Sequence, residues 1–133
     1  MTYRILADTG PLLASVDRRD QYHARCRLEQ HRLQMDGAEI VATMPTLFEC
    51  HALLVRRLGP LPAIRWLLEI RRSIAVLPFE EEDLTLTTRL MERYADQPIS
   101  LFDAAVAVFA VILDVPVWTY DHHFDVMGVP VWR

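Results

Sequence analysis

Four carboxylic acids stand out in this sequence because each lies where the chain changes direction. They are Asp8 in Ala7-Asp8-Thr-Gly-Pro11, Glu49 in Thr46-Leu-Phe-Glu49, Asp103 in Ser100-Leu-Phe-Asp103, and Asp121 in Thr119-Tyr-Asp121. A set of carboxylate oxygens suits Mg²⁺ or Mn²⁺, hard ions that keep some of their waters and activate one for in-line attack on phosphorus. The chemistry open to these acids is metal-assisted hydrolysis of a phosphodiester.

Rival chemistries lose their residues. Every one of the 14 cations is arginine and none is lysine, which removes Schiff-base catalysis, the phosphate-binding P-loop and the lysine of phosphoacceptor receiver domains. The 4 glycines form neither GxGxxG nor GxSxG, so dinucleotide binding and the nucleophile elbow have no support. An aspartyl-nucleophile phosphatase is a weaker alternative, because Gly10 stands where its second acid belongs. His122 and His123 raise a zinc site, but no HExxH is present and His23, His31 and His51 lack matching spacing.

The elements that must position the acids follow from hydrophobic period and turn residues. Strands are expected over 3–7, 39–42, 74–77, 115–119 and 129–132, and helices over 12–16, 20–35, 46–58, 62–73, 81–94 and 100–113. Asp36-Gly37, Gly59-Pro60 and Met127-Gly128 mark stops or turns. Trp66, Leu67, Leu68 and Ile70 read as core, and the Asp20-Gln-Tyr-His23 stretch reads as structural. Strands separated by helices imply an α/β fold, an open α/β/α sandwich with a mainly parallel sheet covered by helices on both faces.

In such a sheet ligands bind beyond the carboxyl ends of the strands. Asp8 follows the first strand directly, Asp121 lies just past the strand ending at Thr119, and Glu49 and Asp103 are expected in the first turns of their helices. Each acid also has a plainer reading. The Thr46–Glu49 and Ser100–Asp103 spacings fit a capping box or its aspartate variant, and Asp8 and Asp121 fit as caps of the turns that follow. Capping leaves unexplained why four like charges share one edge, which costs free energy unless a cation offsets them.

Composition bounds the rest. The chain has 133 residues, 52% hydrophobic and 24% charged, so a single domain over 1–133 with its own core is expected. Net charge is −4, which is not the basic body of a nonspecific nucleic-acid binder; setting the four acids aside leaves carboxylates and arginines equal in number. Arginine grips phosphate bidentately, so the absence of lysine does not oppose a polyanionic substrate. No cleavable signal opens the sequence, and the most apolar stretch, 104–113, is about half the length of a membrane-spanning helix. Cys26 and Cys50 share no metal or redox spacing and suit a reducing cytoplasm.

Ile5-Leu-Ala-Asp8-Thr-Gly-Pro-Leu-Leu13, Thr46-Leu-Phe-Glu49, Ser100-Leu-Phe-Asp103-Ala-Ala105 and Trp118-Thr-Tyr-Asp121-His-His-Phe124 together resemble the PIN domain over nearly the whole chain. In length and motif order they are most similar to the VapC toxins of bacterial toxin–antitoxin pairs. The resemblance implies a cytoplasmic Mg²⁺- or Mn²⁺-dependent endoribonuclease with Asp8, Glu49, Asp103 and Asp121 as metal-binding acids and Thr9 and Thr119 as supporting residues. It also implies a homodimer and a cognate VapB-like antitoxin; RNA rather than DNA rests on the resemblance alone. The sequence departs from the pattern after Asp121, where two histidines precede Phe124 and Asp125 offers a fifth acid. A noncatalytic PIN-like module, whose acids receive a partner's arginine, is the alternative from another class.

Overall fold

A computed structural model describes residues 3–133, so Met1 and Thr2 of the expected 1–133 domain lie outside the described residues. The elements run β1 (Arg4–Ala7), α1 (Thr9–Val16), α2 (His23–Met35), β2 (Glu39–Thr43), α3 (Met44–Leu58), α4 (Pro60–Ser73), β3 (Ala75–Leu77), α5 (Glu81–Arg93), α6 (Leu101–Leu113), β4 (Val117–Trp118) and α7 (His123–Val126). The strands form one parallel sheet in the order β3-β2-β1-β4. This is the expected α/β/α sandwich.

Alternation along the strands builds two cores. Ile5, Ala7, Ala42 and Trp118 point to one face, where they meet Leu12, Leu33, Leu47, Leu54 and Trp66 from α1–α4. Leu6, Val41 and Val117 point to the other, against Ala104, Val106, Ala107 and Phe109 of α6 and Phe124 of α7. Because side chains on a strand alternate with a period of two, a four-residue β1 supplies both layers. Trp66 is buried as expected, Leu67 and Ile70 pack against the core, and Leu68 is exposed.

Several boundaries differ from the sequence reading, each for a local reason. Helix α3 starts at Met44 rather than 46, because Thr43 caps it by accepting from the Thr46 N–H and Pro45 occupies a first-turn position that needs no donor. Glu49 therefore lies in the second turn, not the first. Helix α1 already begins at Thr9. Helix α2 starts only at His23, since the Asp20 carboxylate accepts from the Tyr22 N–H and holds a turn there. Strand β4 shrinks to two residues because Pro116 has no N–H to give to the ladder, although its carbonyl accepts from Leu6. The expected strand over 129–132 survives as one parallel bridge, Val117 to Val131, and 123–126 is a short helix that periodicity did not reveal. Among the described residues no helix is long and apolar enough to cross a membrane.

Candidate metal centre

The parallel sheet puts the carboxyl ends of β1, β2 and β4 at one edge, from which the chain runs into Asp8, into α3 with Glu49, and into Thr119 and Asp121. There the four predicted acids line one open hollow of about 410 Å³ with Thr9, Gly10, Leu13, Leu53, Tyr120 and His122. No arginine lines it.

Asp8 occupies the N-cap position of α1, yet its side chain makes no cap hydrogen bond. Instead its Oδ2 accepts from the Thr119 hydroxyl at 2.8 Å, and that same hydroxyl accepts from the Asp121 N–H at 3.0 Å. Thr119 thus ties the first acid to the last across the β1–β4 pair. Asp8 is only 5% exposed, and burial pushes its carboxyl from 3.8 up to about 7; the Thr119 hydrogen bond pulls it down, and Asp103 and Glu49 push it further up.

Glu49 accepts from the Thr9 hydroxyl, so a threonine also supports the acid of α3. Its carboxyl too is raised by burial, with Thr9 lowering it and Asp103 and Asp121 raising it. Asp103 closes a capping box: its N–H donates to Ser100 Oγ at 3.1 Å and its Oδ2 accepts from the Ser100 N–H at 3.2 Å. Capping and site membership coexist in this residue. Burial raises its carboxyl, the Ser100 hydrogen bonds lower it, Asp121 raises it and His123 lowers it. Asp121 holds the turn into α7, its Oδ1 accepting from the His123 N–H at 2.9 Å and lying 2.7 Å from His123 Nδ1.

Asp125 is placed differently from the other four. Its carboxylate pairs with Arg133 at 2.9 and 3.2 Å, and it lines a neighbouring hollow with Arg25 and Tyr120 rather than the acidic one. His23 is structural, with its Nδ1 2.6 Å from the Ala14 carbonyl. Cys26 and Cys50 are free and buried, and burial raises both thiols.

Two supports escaped the sequence reading. The contact of His123 with Asp121 follows from the two-residue spacing of an Asx-turn and was open to recognition. Glu29 was not: it accepts from Tyr120 Oη at 2.6 Å and Trp118 Nε1 at 3.0 Å, anchoring the segment between β4 and Asp121 to α2. A lone acid on an otherwise charged helix carries no signal of partners so distant in sequence.

This donor set fits a hard divalent cation. Four carboxylates line one cleft without an arginine, in a chain that has 14, and at least three are lifted by burial and by each other. A structural acid cluster would be paired with guanidinium, as Asp17 and Asp20 are with Arg57 at 3.2 and 2.8 Å elsewhere in the fold.

The PIN domain family model matches residues 5–130. Among solved structures, the chain is similar to Mycobacterium tuberculosis VapC20, described as a sarcin-ricin loop cleaving toxin, with 20% identity, 97% of this chain and 98% of that chain covered, and a TM-score of 0.84. It is also similar to DNA-bound VapBC from Salmonella typhimurium, at 16% identity, 100% and 98% coverage and a TM-score of 0.75. For VapBC-1 from nontypeable Haemophilus influenzae the values are 17%, 100%, 97% and 0.73. At these identities the likeness is one of fold. No curated protein sequence matches the chain.

Proposed function

This chain belongs to the PIN domain family, and from that premise we propose that it is a divalent-metal-dependent endoribonuclease, the toxin of a toxin–antitoxin pair. The observation that carries the reading is the arginine-free cleft lined by Asp8, Glu49, Asp103 and Asp121. Like charges that share one hollow and raise one another's pKa cost the fold free energy unless a cation joins them.

In this reading Asp8, Glu49, Asp103 and Asp121 would hold Mg²⁺ or Mn²⁺, ions whose preference is for oxygen donors. When bound, such an ion lowers the pKa of a water and offsets the negative charge that builds on the scissile phosphate. The chain's own work is positional. Thr119 and Thr9 fix the Asp8 and Glu49 carboxylates by donating to them, Ser100 fixes Asp103 through its backbone N–H, and His123 fixes Asp121. The hollow is open on one side, which admits an extended phosphodiester backbone. Asp125, held by Arg133, stands outside this set.

The fold shared with VapC20 and with VapBC structures supports extending the reading to partners. The substrate is RNA, the inhibitor is a cognate VapB-like antitoxin, and the working form is a cytoplasmic homodimer.

The test is RNA cleavage by purified protein with Mg²⁺ or Mn²⁺, chelator-treated protein serving as the blank. Cleavage that needs the ion and disappears in Asp8→Asn and Asp103→Asn is expected. Cleavage that persists in both variants, or a protein that binds no divalent ion by calorimetry and only captures a partner, overturns the proposal.

A further inference from the structure

Beside the carboxylate cleft, Asp121, His122 and His123 bring three ligand atoms within 4.8 Å of one another. From Asp121 Oδ1, His123 Nδ1 is 2.7 Å away and His122 Nδ1 is 3.8 Å away. Two histidines adjacent in sequence ordinarily point apart. Here the Asx-turn at Asp121 and the helical backbone of His122 bring both rings to the same carboxylate, their centroids 4.2 Å apart and their planes tilted by 33°.

We propose that Asp121, His122 and His123 form a second metal site, one that takes a divalent transition ion such as Zn²⁺ in preference to Mg²⁺. The donor chemistry differs from that of the neighbouring cleft. Imidazole nitrogen favours Zn²⁺, Co²⁺ and their neighbours, whereas Mg²⁺ favours oxygen and sheds its waters reluctantly. Ligand atoms bonded at about 2.1 Å sit roughly 3–3.5 Å apart around Zn²⁺, a spacing that lies between the two distances observed here. Closing the site therefore needs only a small opening of the Asp121–His123 contact and a small approach by His122.

Access and rigidity are divided between the two rings. The His123 side chain is 15% exposed and pinned to Asp121, and the Asp121 side chain is 30% exposed. The His122 side chain is 78% exposed, so it is free to swing onto an ion and lends little to the fold. Three protein ligands with an open fourth position are the usual composition of a zinc site that exchanges its remaining ligand. The site shares Asp121 with the cleft read above as the nuclease centre, but its existence does not depend on that reading.

The test is calorimetric titration of Zn²⁺ into the metal-free 133-residue chain, with Co²⁺ absorption in the visible as a second, ligand-sensitive readout. The expected result is one Zn²⁺ bound more tightly than Mg²⁺, with Co²⁺ bands that report nitrogen ligands. His122→Ala weakens Zn²⁺ binding at least about tenfold, while Asp8→Asn, which removes none of the three ligands and keeps an oxygen to accept from Thr119, leaves it within about twofold. Because His122 is so exposed, its removal keeps the fold. Zn²⁺ binding that is unchanged in both His122→Ala and His123→Ala, or that is lost in Asp8→Asn, overturns the proposal by placing the ion among the carboxylates. A chain that cleaves no RNA would leave this titration untouched, so failure of the nuclease reading and failure of the second site are separable.

Discussion

Replacing Asp8 by asparagine is expected to stabilise the metal-free protein at neutral pH while it destroys cleavage. In the fold the Asp8 carboxyl is raised from 3.8 to about 7, with burial as the largest cause. The folded state therefore holds a proton that the unfolded chain has already released through the interval between those values. For this group stability is fully present below about pH 4 and is lost as pH rises through about 7, the reverse of an ordinary salt-bridged aspartate. At about 1.4 kcal/mol per pKa unit, the shift costs the ionised metal-free fold about 4 kcal/mol once fully developed. Roughly 2–3 kcal/mol of that falls between about pH 5 and pH 8.

Asparagine is nearly isosteric, neutral throughout, and keeps a carbonyl oxygen to accept from Thr119. Urea unfolding of both proteins in chelator should show their stability difference growing by about 2–3 kcal/mol in favour of the variant from about pH 5 to pH 8. Adding Mg²⁺ should then reverse the ranking, because an ion that binds only the folded wild type stabilises it by mass action, about 2.7 kcal/mol at a hundredfold excess over Kd. A variant less stable than wild type at about pH 8 without metal, or a difference independent of pH, refutes the electrostatic argument and with it the claim that Asp8 is strained by its surroundings.

Other substitutions separate holding the acids from being one. Thr119→Val removes the hydroxyl that donates to Asp8 and accepts from the Asp121 N–H; Mg²⁺ affinity by calorimetry should fall about 10–100-fold, and Thr119→Ser should restore most of it. Ser100→Ala opens the capping box of α6 by taking the acceptor from the Asp103 N–H, costing about 1 kcal/mol in urea unfolding, with cleavage largely kept because the backbone N–H at this position still donates to the Asp103 carboxylate. Glu29→Ala leaves Tyr120 Oη and Trp118 Nε1 without their acceptor, and thermal and urea melts should show a loss of about 2–4 kcal/mol. Mg²⁺ affinity of the wild type should rise from about pH 6 to pH 8, because ion and proton compete for Asp8, whose carboxyl lies near 7; calorimetry showing no such rise counts against Asp8 as a ligand.

What the sequence made readable follows physical range. Order and type of the main elements came from local periodicity, since Ile5, Leu6 and Ala7 must serve both faces of a covered sheet and the run 104–110 is apolar on every side. The positions of Asp8 and Asp121 followed from the rule that parallel strands present their carboxyl ends together. Glu49 was assigned to the wrong turn because Thr43 and Thr46 are both good caps three residues apart; Thr43 takes the role by accepting from the Thr46 N–H, with Pro45 in the first turn. The Glu29 anchor lies 89 and 91 residues from its partners. No window along the chain contains such a contact, and only the assembled sheet makes it.

Each acid of the cleft is held by a donor from its own neighbourhood or from one adjoining element, and none of those donors is an arginine that would quench it. Thr9 and Thr119 donate through neutral hydroxyls and Ser100 through its backbone N–H. Neutral donors fix direction while leaving the negative potential intact, whereas an arginine would fix direction and neutralise it together. Where arginine does pair with acids it does so outside the cleft: Arg57 with Asp17 and Asp20, Arg25 with Glu29, Arg133 with Asp125. A cleft oriented by neutral hydroxyls and backbone N–H groups, with no arginine in its lining, keeps one unsatisfied demand, for positive charge from outside the chain. That demand, rather than the mere count of acids, separates a metal centre from a set of helix caps.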